Sequence, residues 1–193
     1  GDRILVGASG GKDSTALIEY FAARKKQNRE NFDFACLHVE TEIGSPLSKG
    51  LLDLFHKWDV EPIIIKVDVL GRLKPGKSMN CWWCSTQRRT ELNNYAIEKG
   101  FNKIALGHHL DDILETLLMN MLNKGELSTM PPRLKYNQYP VTIIRPLCMA
   151  DEQTIIQHAN QAGYICDTCT CNYQDNSGRK KARSKLQDLT QGS

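Results

Sequence analysis

Short apolar runs alternate with longer amphipathic segments along most of the chain. The apolar runs cover residues 4–8, 32–39, 62–69, 101–106 and 141–145. In the segments between and after them, apolar side chains recur every three or four residues, which is the period of an amphipathic helix. These segments cover residues 14–26, 46–58, 81–99, 110–122 and 151–163. Strands and helices alternating in this way form right-handed βαβ units, so we predict an α/β fold with one open, parallel, five-stranded sheet and helices on both faces.

The first apolar run turns through two glycines directly into a helix, in the sequence SGGKDS at residues 9–14. Backbone N–H groups at such a helix N-terminus point outward, and the helix dipole favours negative charge there. We expect Ser14 to cap this helix. The segment is not a Walker A loop, because Asp13 stands where that motif requires a hydroxyl residue directly after its lysine. It predicts a phosphate-binding loop of another type.

A second polar loop, GHHLDD at residues 107–112, follows the fourth apolar run. Ligands of an open parallel sheet bind beyond the carboxyl ends of its strands, so this loop is expected to face the first one. Asp13 and Asp111 or Asp112 would then share a magnesium ion bound to phosphates, with Glu115 on the same helix face as Asp111. Two other interpretations remain open: an acidic first turn that suits the helix dipole, and histidines that are solvated in a loop.

Composition sets bounds on the class of protein. With 193 residues, 40% hydrophobic and 24% charged, the sequence is typical of one soluble domain, and no apolar run is long enough to span a membrane. The net charge is +3, and five cations fall within residues 179–185, which favours a polyanionic partner. Seven cysteines without a visible export signal favour a reducing, cytoplasmic compartment. Cys36 and Cys148 lie in strand patterns and are expected to pack in the core.

The remaining cysteines are clustered. Cys81-x-x-Cys84 and Cys166-x-x-Cys169 both follow segments expected to end near the same sheet edge. Four converging thiolates would bind zinc or an iron–sulfur cluster. A thioredoxin-like redox pair is the alternative, and it fits poorly with a nucleotide-binding chain.

Six motifs, SGGKDS, CWWCSTQRR, LGHHLDD, MPPRL, IIRPL and a late CDTC, occur in this order over nearly the whole chain. Together they resemble the tRNA 2-thiocytidine synthetase family of PP-loop ATP pyrophosphatases. The resemblance implies the adenine-nucleotide α-hydrolase fold and a [4Fe–4S] cluster. It also implies cleavage of ATP to AMP and pyrophosphate, adenylation of the C2 oxygen of a tRNA cytidine, and its replacement by sulfur, often by a homodimer. Cys171 has no counterpart in the family pattern.

The resemblance also implies roles for particular residues. The expected ATP-binding residues are Ser9, Gly10, Gly11, Lys12, Asp13, Ser14, Val39 and Gly107. Asp13 and Asp111 are expected to bind Mg²⁺, and Asp111 and Arg88 to be catalytic. Cys81, Cys84 and Cys166 are expected to hold three irons of the cluster, which leaves the fourth iron open to sulfide.

We expect residues 1–165 to form the PP-loop domain that carries the CxxC insertion, and residues 166–193 to form a cysteine-containing basic tail packed on it. The expected partners are ATP, tRNA, a sulfur donor that is either sulfide or a cysteine desulfurase, and a second copy of the chain, but no membrane. The residues expected to contact tRNA are Arg88, Arg89, Arg133, Lys135 and the basic tail.

Two alternative functions remain open on the sequence. One is a PP-loop ligase, such as a tRNA lysidine synthetase, that acts on another nucleobase or on a carboxylate and needs no CxxC. The other is a zinc-stabilised nucleotide-binding module without sulfur chemistry.

Overall fold

The structure, a computed structural model, describes residues 1–137, 139–164, 182–186 and 188. Within these residues strands and helices alternate. The strands are β1 (Asp2–Gly7), β2 (Phe32–Thr41), β3 (Ile63–Val67), β4 (Lys103–Ala105), β5 (Arg133–Lys135) and β6 (Thr142–Ile144). The helices are α1 (Lys12–Gln27), α2 (Lys49–Lys57), α3 (Cys81–Glu98), α4 (Leu110–Lys124) and α5 (Glu152–Gln161).

The strands form one sheet in the order β3-β2-β1-β4-β6-β5. From β1 the chain adds β2 and β3 on one side, and then crosses over to add β4 and β6 on the other. The strand order therefore reverses between β1 and β4, and the loops after these two strands diverge there to open a crevice. The two polar loops found in the sequence follow these two strands.

Both faces of the sheet are covered by helices, as predicted. On one face Ile4 and Val6 of β1 pack against α1 and α2, for example against Leu17 and Phe55. On the other face Leu5 belongs to the apolar cluster that includes α3. This alternation follows from the period of two along a strand, which sends successive side chains to opposite faces. Among the described residues, no helix is both long enough and apolar enough to cross a membrane.

The prediction of five parallel strands was wrong by one. The additional strand β5 pairs antiparallel with β6, with Leu134 opposite Ile143. It has only three residues, all of them exposed, at the edge of the sheet. Because neither of its faces is buried, its sequence shows no hydrophobic alternation, and two preceding prolines concealed it further.

Two predicted helix starts were also wrong. Helix α2 begins at Lys49 and not at Pro46, because the side chain of Ser48 accepts a hydrogen bond from the backbone N–H of Leu51 and caps the helix there. At α1 the N-cap residue is Gly11, and no side chain caps the helix. Ser14 lies inside the first turn, where its hydroxyl donates a hydrogen bond to the carbonyl oxygen of Gly11.

Candidate active site

The loop between β1 and α1 leaves the helix N-terminus open. Gly10 has a φ of 89°, a left-handed conformation that favours glycine, and it lets the chain turn directly from the strand into the helix. Ser14 Oγ accepts a hydrogen bond from the backbone N–H of Ser9 at 3.2 Å, which fixes the loop from inside. Because no side chain caps α1, its first N–H groups remain available to an anion.

The loop after β4 packs directly on this turn at Gly107. A Cβ atom at this position would lie 2.9 Å from both the carbonyl carbon of Asp13 and the backbone nitrogen of Ser14. Since these are backbone atoms of the first turn of α1, no side-chain movement would relieve the contact. Glycine is therefore required here by close approach, and the two polar loops face each other as predicted.

Substitution of Gly107 by alanine is expected to push the two loops apart and to weaken nucleotide binding. Overpacking of this kind costs about 1–3 kcal/mol of folding stability. Binding of an ATP analogue, measured by calorimetry beside urea unfolding, tests this. Gly7→Ala is the matched control, because the added Cβ would meet only the flexible side chains of Leu106 and Leu92. Equal losses in the two variants would contradict the close-approach explanation.

A cavity of about 930 Å³ opens beside the two loops. This volume is in the upper range for small-ligand sites. The N-terminal loop from Gly7 to Asp13 lines one side, and the first two turns of α3, with Cys81 and Cys84, line another. Apolar side chains of the sheet complete the wall, among them Val39. One cavity therefore contains the phosphate-binding loop and the thiols of the CxxC motif.

Lys12 is held at the cavity edge by two carboxylates. Its Nζ donates a hydrogen bond to Glu152 Oε1 at 3.0 Å and another to Asp13 Oδ2 at 3.3 Å. Burial lowers the pKa of Lys12, but the hydrogen bond to Glu152 and the charge of Asp13 outweigh it, and the net shift is upward. Lys12 is therefore a fixed cation beside the open helix N-terminus.

Asp13 carries an oxygen that fits a metal ion. Its Oδ1 is buried and accepts no hydrogen bond, although Lys12 Nζ lies 3.1 Å away, outside hydrogen-bond geometry. A buried anionic oxygen in this state suits a hard cation such as Mg²⁺. Among the described residues, no three His, Cys, Asp or Glu side chains form a complete metal site. Mg²⁺ here would take further ligands from phosphate oxygens and water.

His109 gathers the carboxylates of both loops. Its ring, 2% exposed, lies 3.9 Å from Asp13, 3.6 Å from Asp111 and 3.5 Å from Asp112. It also caps α4, because its Nδ1 accepts a hydrogen bond from the backbone N–H of Asp112, whose carboxylate accepts one from the backbone N–H of His109. The interpretation as a solvated loop side chain was therefore wrong for His109. A histidine cap is a rare signal in sequence.

Asp111 and Glu115 do not share a metal-facing side as expected from their spacing. Asp111 Oδ2 accepts a hydrogen bond from the backbone N–H of Glu152 at 2.7 Å and so joins α4 to the start of α5. Glu115 is 2% exposed and is bound by Arg183, whose Nε lies 2.5 Å from its Oε1. Arg183 Nη1 also lies 3.6 Å from Glu152. Glu115 is thus an anchor for the C-terminal segment.

Replacing Arg183 by methionine is expected to destabilise the fold, because it leaves the carboxylate of Glu115 buried without its cationic partner. The expected loss is about 1–3 kcal/mol in the free energy of unfolding, measured in urea. Lys185→Met, an exposed change in the same segment, is the control. The double variant Arg183→Met with Glu115→Gln should recover part of the loss. A midpoint for Arg183→Met equal to that of the wild type would contradict the ion pair.

The two cysteines of the CxxC motif lie in the first turn of α3. The Asn80 side chain caps the helix by accepting a hydrogen bond from the backbone N–H of Trp83 at 2.9 Å, so the helix begins at Cys81 itself. Residues three apart are neighbours on a helix, and both thiols line the cavity. Thiolates are stabilised at a helix N-terminus, so the donor set fits an iron–sulfur cluster or zinc. The predicted third ligand, Cys166, and Cys169 and Cys171 lie outside the described residues.

The other two predicted cysteines are packing residues, as expected. Cys36 and Cys148 are buried. Burial raises the pKa of the Cys36 thiol to about 12, so this thiol stays protonated and inert.

The predicted residues Arg88 and Val39 are in direct contact. Arg88 Nε–H donates a hydrogen bond to the carbonyl oxygen of Val39 at 3.1 Å, which fixes the guanidinium at the end of β2 inside the cavity. The sequence reading did not identify Asn93, an 8% exposed cavity residue whose Oδ1 accepts no hydrogen bond. Trp82 was also not identified as a surface residue, although it is 72% exposed beside Cys81. No periodicity distinguishes either side chain from an ordinary helix residue.

These features define a class of protein: a nucleotide-binding domain whose phosphate loop is of the PP-loop type. The family model of the PP-loop domain, ATP_bind_3, matches residues 1–189. The chain is 35% identical over 98% of its length to a tRNA-cytidine(32) 2-sulfurtransferase of Anaeromyxobacter dehalogenans (strain 2CP-C) and 36% identical over 96% of its length to one of Aliivibrio fischeri (strain MJ11). It covers 67% and 62% of these two proteins.

A solved structure shares the fold. The U34-tRNA thiolase NcsA of Methanococcus maripaludis, solved with its [4Fe–4S] cluster, superimposes with a TM-score of 0.78 at 25% identity, over 99% of this chain and 66% of that one. The chain thus spans about two thirds of the length of these proteins. It belongs to the PP-loop family of the tRNA-cytidine(32) 2-sulfurtransferases. The family resemblance and the fold type predicted from the motifs are confirmed.

Proposed function

We propose that this chain catalyses the ATP-dependent thiolation of a tRNA cytidine at C2. The predicted enzyme class, a tRNA sulfurtransferase, is confirmed at the level of the family. The observation that carries the proposal for this chain is the single cavity lined by both the PP-loop and the CxxC thiols. Neither alternative function accounts for it, because a ligase needs no thiols near the nucleotide and a structural zinc site needs no cavity.

Mass spectrometry of tRNA nucleosides from cells that lack the protein tests this function. Loss of 2-thiocytidine, restored by the wild-type gene, is the expected result. A normal thionucleoside profile would contradict the proposal. Anaerobic purification separates the zinc alternative, since a cluster gives a brown, iron-containing protein and zinc a colourless one.

The PP-loop is proposed to bind the pyrophosphate part of ATP through the open N-terminus of α1 and the Lys12 ammonium. In this proposal Asp13 and Asp111 position Mg²⁺, which stabilises charge on the leaving pyrophosphate when bound. The buried, unbonded Oδ1 of Asp13 supports its role. Asp111 also holds the start of α5, so its single free oxygen would face the metal. Arg88 is proposed to orient the base and the phosphoryl group from the opposite wall of the cavity.

The sulfur chemistry is proposed to take place at the α3 side of the cavity. Cys81, Cys84 and Cys166 would hold a [4Fe–4S] cluster whose open iron supplies a binding place for sulfide. The sulfur donor is proposed to be sulfide or a cysteine desulfurase. The protein's own contribution is to hold two thiolates at a helix N-terminus that faces the adenylated base. We place this reaction in the cytoplasm, where tRNA and a reducing environment are both present.

The tRNA is proposed to lie across the cavity mouth and the edge strand β5, against Arg88, Arg89, Arg133, Lys135 and the basic tail. Arg133 and Lys135 are fully presented on β5, and Arg89 lies exposed at the cavity. The exposed indole of Trp82 at the same mouth offers a stacking surface to an unpaired base.

Binding of tRNA is expected to weaken steeply with salt, by a log–log slope of roughly −0.7 to −0.9 per phosphate contact. Arg133→Gln and Lys135→Gln should each reduce the magnitude of this slope by about one contact. Filter binding at several salt concentrations measures it. Lys57→Gln, an exposed change on α2, is the control. An affinity that hardly changes with salt would exclude this binding surface.

A homodimer is proposed through α4. Leu114, Met121 and Leu122 lie on one face of this helix and are 41%, 44% and 57% exposed. The only α4 residue buried within the chain is Glu115. A two-fold axis beside α4 would place this apolar face against its own copy without any need for charge complementarity. The molar mass in solution, with Leu122→Glu as the disrupting variant, tests the dimer.

A further inference from the structure

Arg145 joins three of the sequence motifs at one side chain. It directly follows β6 in the IIRPL motif and is 8% exposed. Its Nη1–H donates a hydrogen bond to the carbonyl oxygen of Pro131 at 2.5 Å, and its backbone N–H donates one to Pro132 at 2.8 Å. Its Nε–H donates a hydrogen bond to Nδ1 of His108 at 3.3 Å. The IIRPL, MPPRL and GHH segments therefore meet at this guanidinium.

The contact with Arg145 determines the protonation of His108. A guanidinium has only donors, so Nδ1 of His108 must be the unprotonated acceptor. In a neutral imidazole the single proton is then on Nε2. Protonation of Nδ1 would remove this hydrogen bond and place two cations in contact. His108 is thus held as the neutral Nε2–H tautomer.

The charge of Arg145 favours an anion nearby. Among the described residues it forms no ion pair, and its closest polar partners are a carbonyl oxygen and an imidazole. Burial lowers the pKa of Arg145, and the neighbouring cation Arg89 lowers it further. A buried cation without a counter-ion is costly unless a ligand brings the opposite charge.

His108 lies where such an anion would bind. It lines the cavity and directly follows Gly107, the residue in close contact with the first turn of α1. It therefore adjoins the open helix N-terminus and Lys12. We propose that Arg145 is a positioning residue that fixes His108 as a neutral Nε2–H donor to a phosphoryl oxygen of the nucleotide bound in this cavity. The inference rests on the proposed function only in taking a nucleotide as the ligand.

A neutral donor suits this place. It stabilises negative charge that grows on a phosphoryl oxygen, and it does not give up its proton during the reaction. Three cations already line this part of the site, namely Lys12, Arg88 and Arg89. A fixed tautomer also removes the cost of reorienting the donor when the nucleotide enters.

The tautomer is tested by ¹⁵N NMR of histidine-labelled protein as purified, with the His108 signals assigned by their loss in His108→Gln. The wild type is expected to show unprotonated Nδ1 and protonated Nε2 at neutral pH. Arg145→Met should give a mixture of tautomers or a protonated ring, and Arg145→Lys, which keeps a donor and the charge, should restore the wild-type pattern. Protonated Nδ1 in the wild type, or an unchanged pattern in Arg145→Met, would overturn the inference.

The binding role is tested with an ATP analogue that carries a methylene group between the α and β phosphates. Glutamine places its side-chain N–H₂ near the Nε2 position, and asparagine places it near Nδ1. His108→Gln should therefore bind within about threefold of the wild type, while His108→Asn should lose about tenfold, as expected for one hydrogen bond to a charged acceptor. Equal affinities for wild type and His108→Asn would overturn the binding role.

Two features keep these outcomes separate from other effects. His56→Gln changes an exposed histidine paired with Glu61 on the α2 side, and it should alter neither measurement. Neither experiment uses tRNA or sulfur. If thiolation of cytidine fails while the tautomer and the analogue affinities behave as expected, the proposed substrate is wrong and the role of Arg145 stands.

Discussion

Replacing Asp13 by asparagine is expected to slow the cleavage of ATP to AMP and pyrophosphate by about 10²–10³-fold. Asparagine has nearly the same shape, so packing is kept, but the negative charge of the buried Oδ1 is lost. That oxygen is the one proposed to bind Mg²⁺. Product formation measured with labelled ATP in the presence of tRNA tests the effect.

The control for this variant is Asp53→Asn, which neutralises an exposed carboxylate on α2. It should leave the rate unchanged. Two results would contradict the proposed role: a rate for Asp13→Asn equal to that of the wild type, or ADP as the product of the wild-type protein. The second result would also exclude a pyrophosphatase reaction altogether.

Replacing Cys81 or Cys84 by alanine is expected to remove most of the bound iron and to abolish thiolation. Both thiols lie in the first turn of α3 and line the cavity, so no neighbouring cysteine among the described residues replaces them. Cys166→Ala is expected to have the same effect. Iron content per protomer and 2-thiocytidine formation, measured on the same anaerobic preparations, are the two readouts.

Cys169→Ala and Cys171→Ala are the matched controls from the tail, and both should keep their iron and their activity. If Cys169→Ala lost iron as completely as Cys81→Ala, the protein would ligate every iron, and sulfide would have no open position. If all these variants kept iron and activity, the cluster site proposed here would be wrong.

The sequence alone determined the elements whose signal is local. The run from β1 through the glycines into α1 carries strand period, turn residues and helix period in fewer than thirty residues. The order of motifs determined the family, and the strand–helix alternation determined the parallel sheet with both faces covered. From these it followed that the loops after β1 and β4 meet, and Gly107 packs on Asp13 accordingly.

Local signals failed where an element depends on its surroundings. β5 is a strand only because β6 lies beside it, since its own three residues are exposed and unpatterned. Ser14 has the chemistry of a helix cap, but the turn at Gly10 places it inside the helix, where it stabilises the loop. In both cases tertiary context overrode a residue preference.

Only the tertiary structure decided which polar groups are partners. Arg145 binds His108 across 37 residues, Arg183 binds Glu115 across 68, and Lys12 binds Glu152 across 140. No sequence period encodes such separations, because a pair of this kind depends on where the sheet order places two distant segments. The physical reason is the range of the interactions: backbone propensity and burial act over a few neighbouring residues, while hydrogen bonds between buried charged groups require contact that only the folded chain provides.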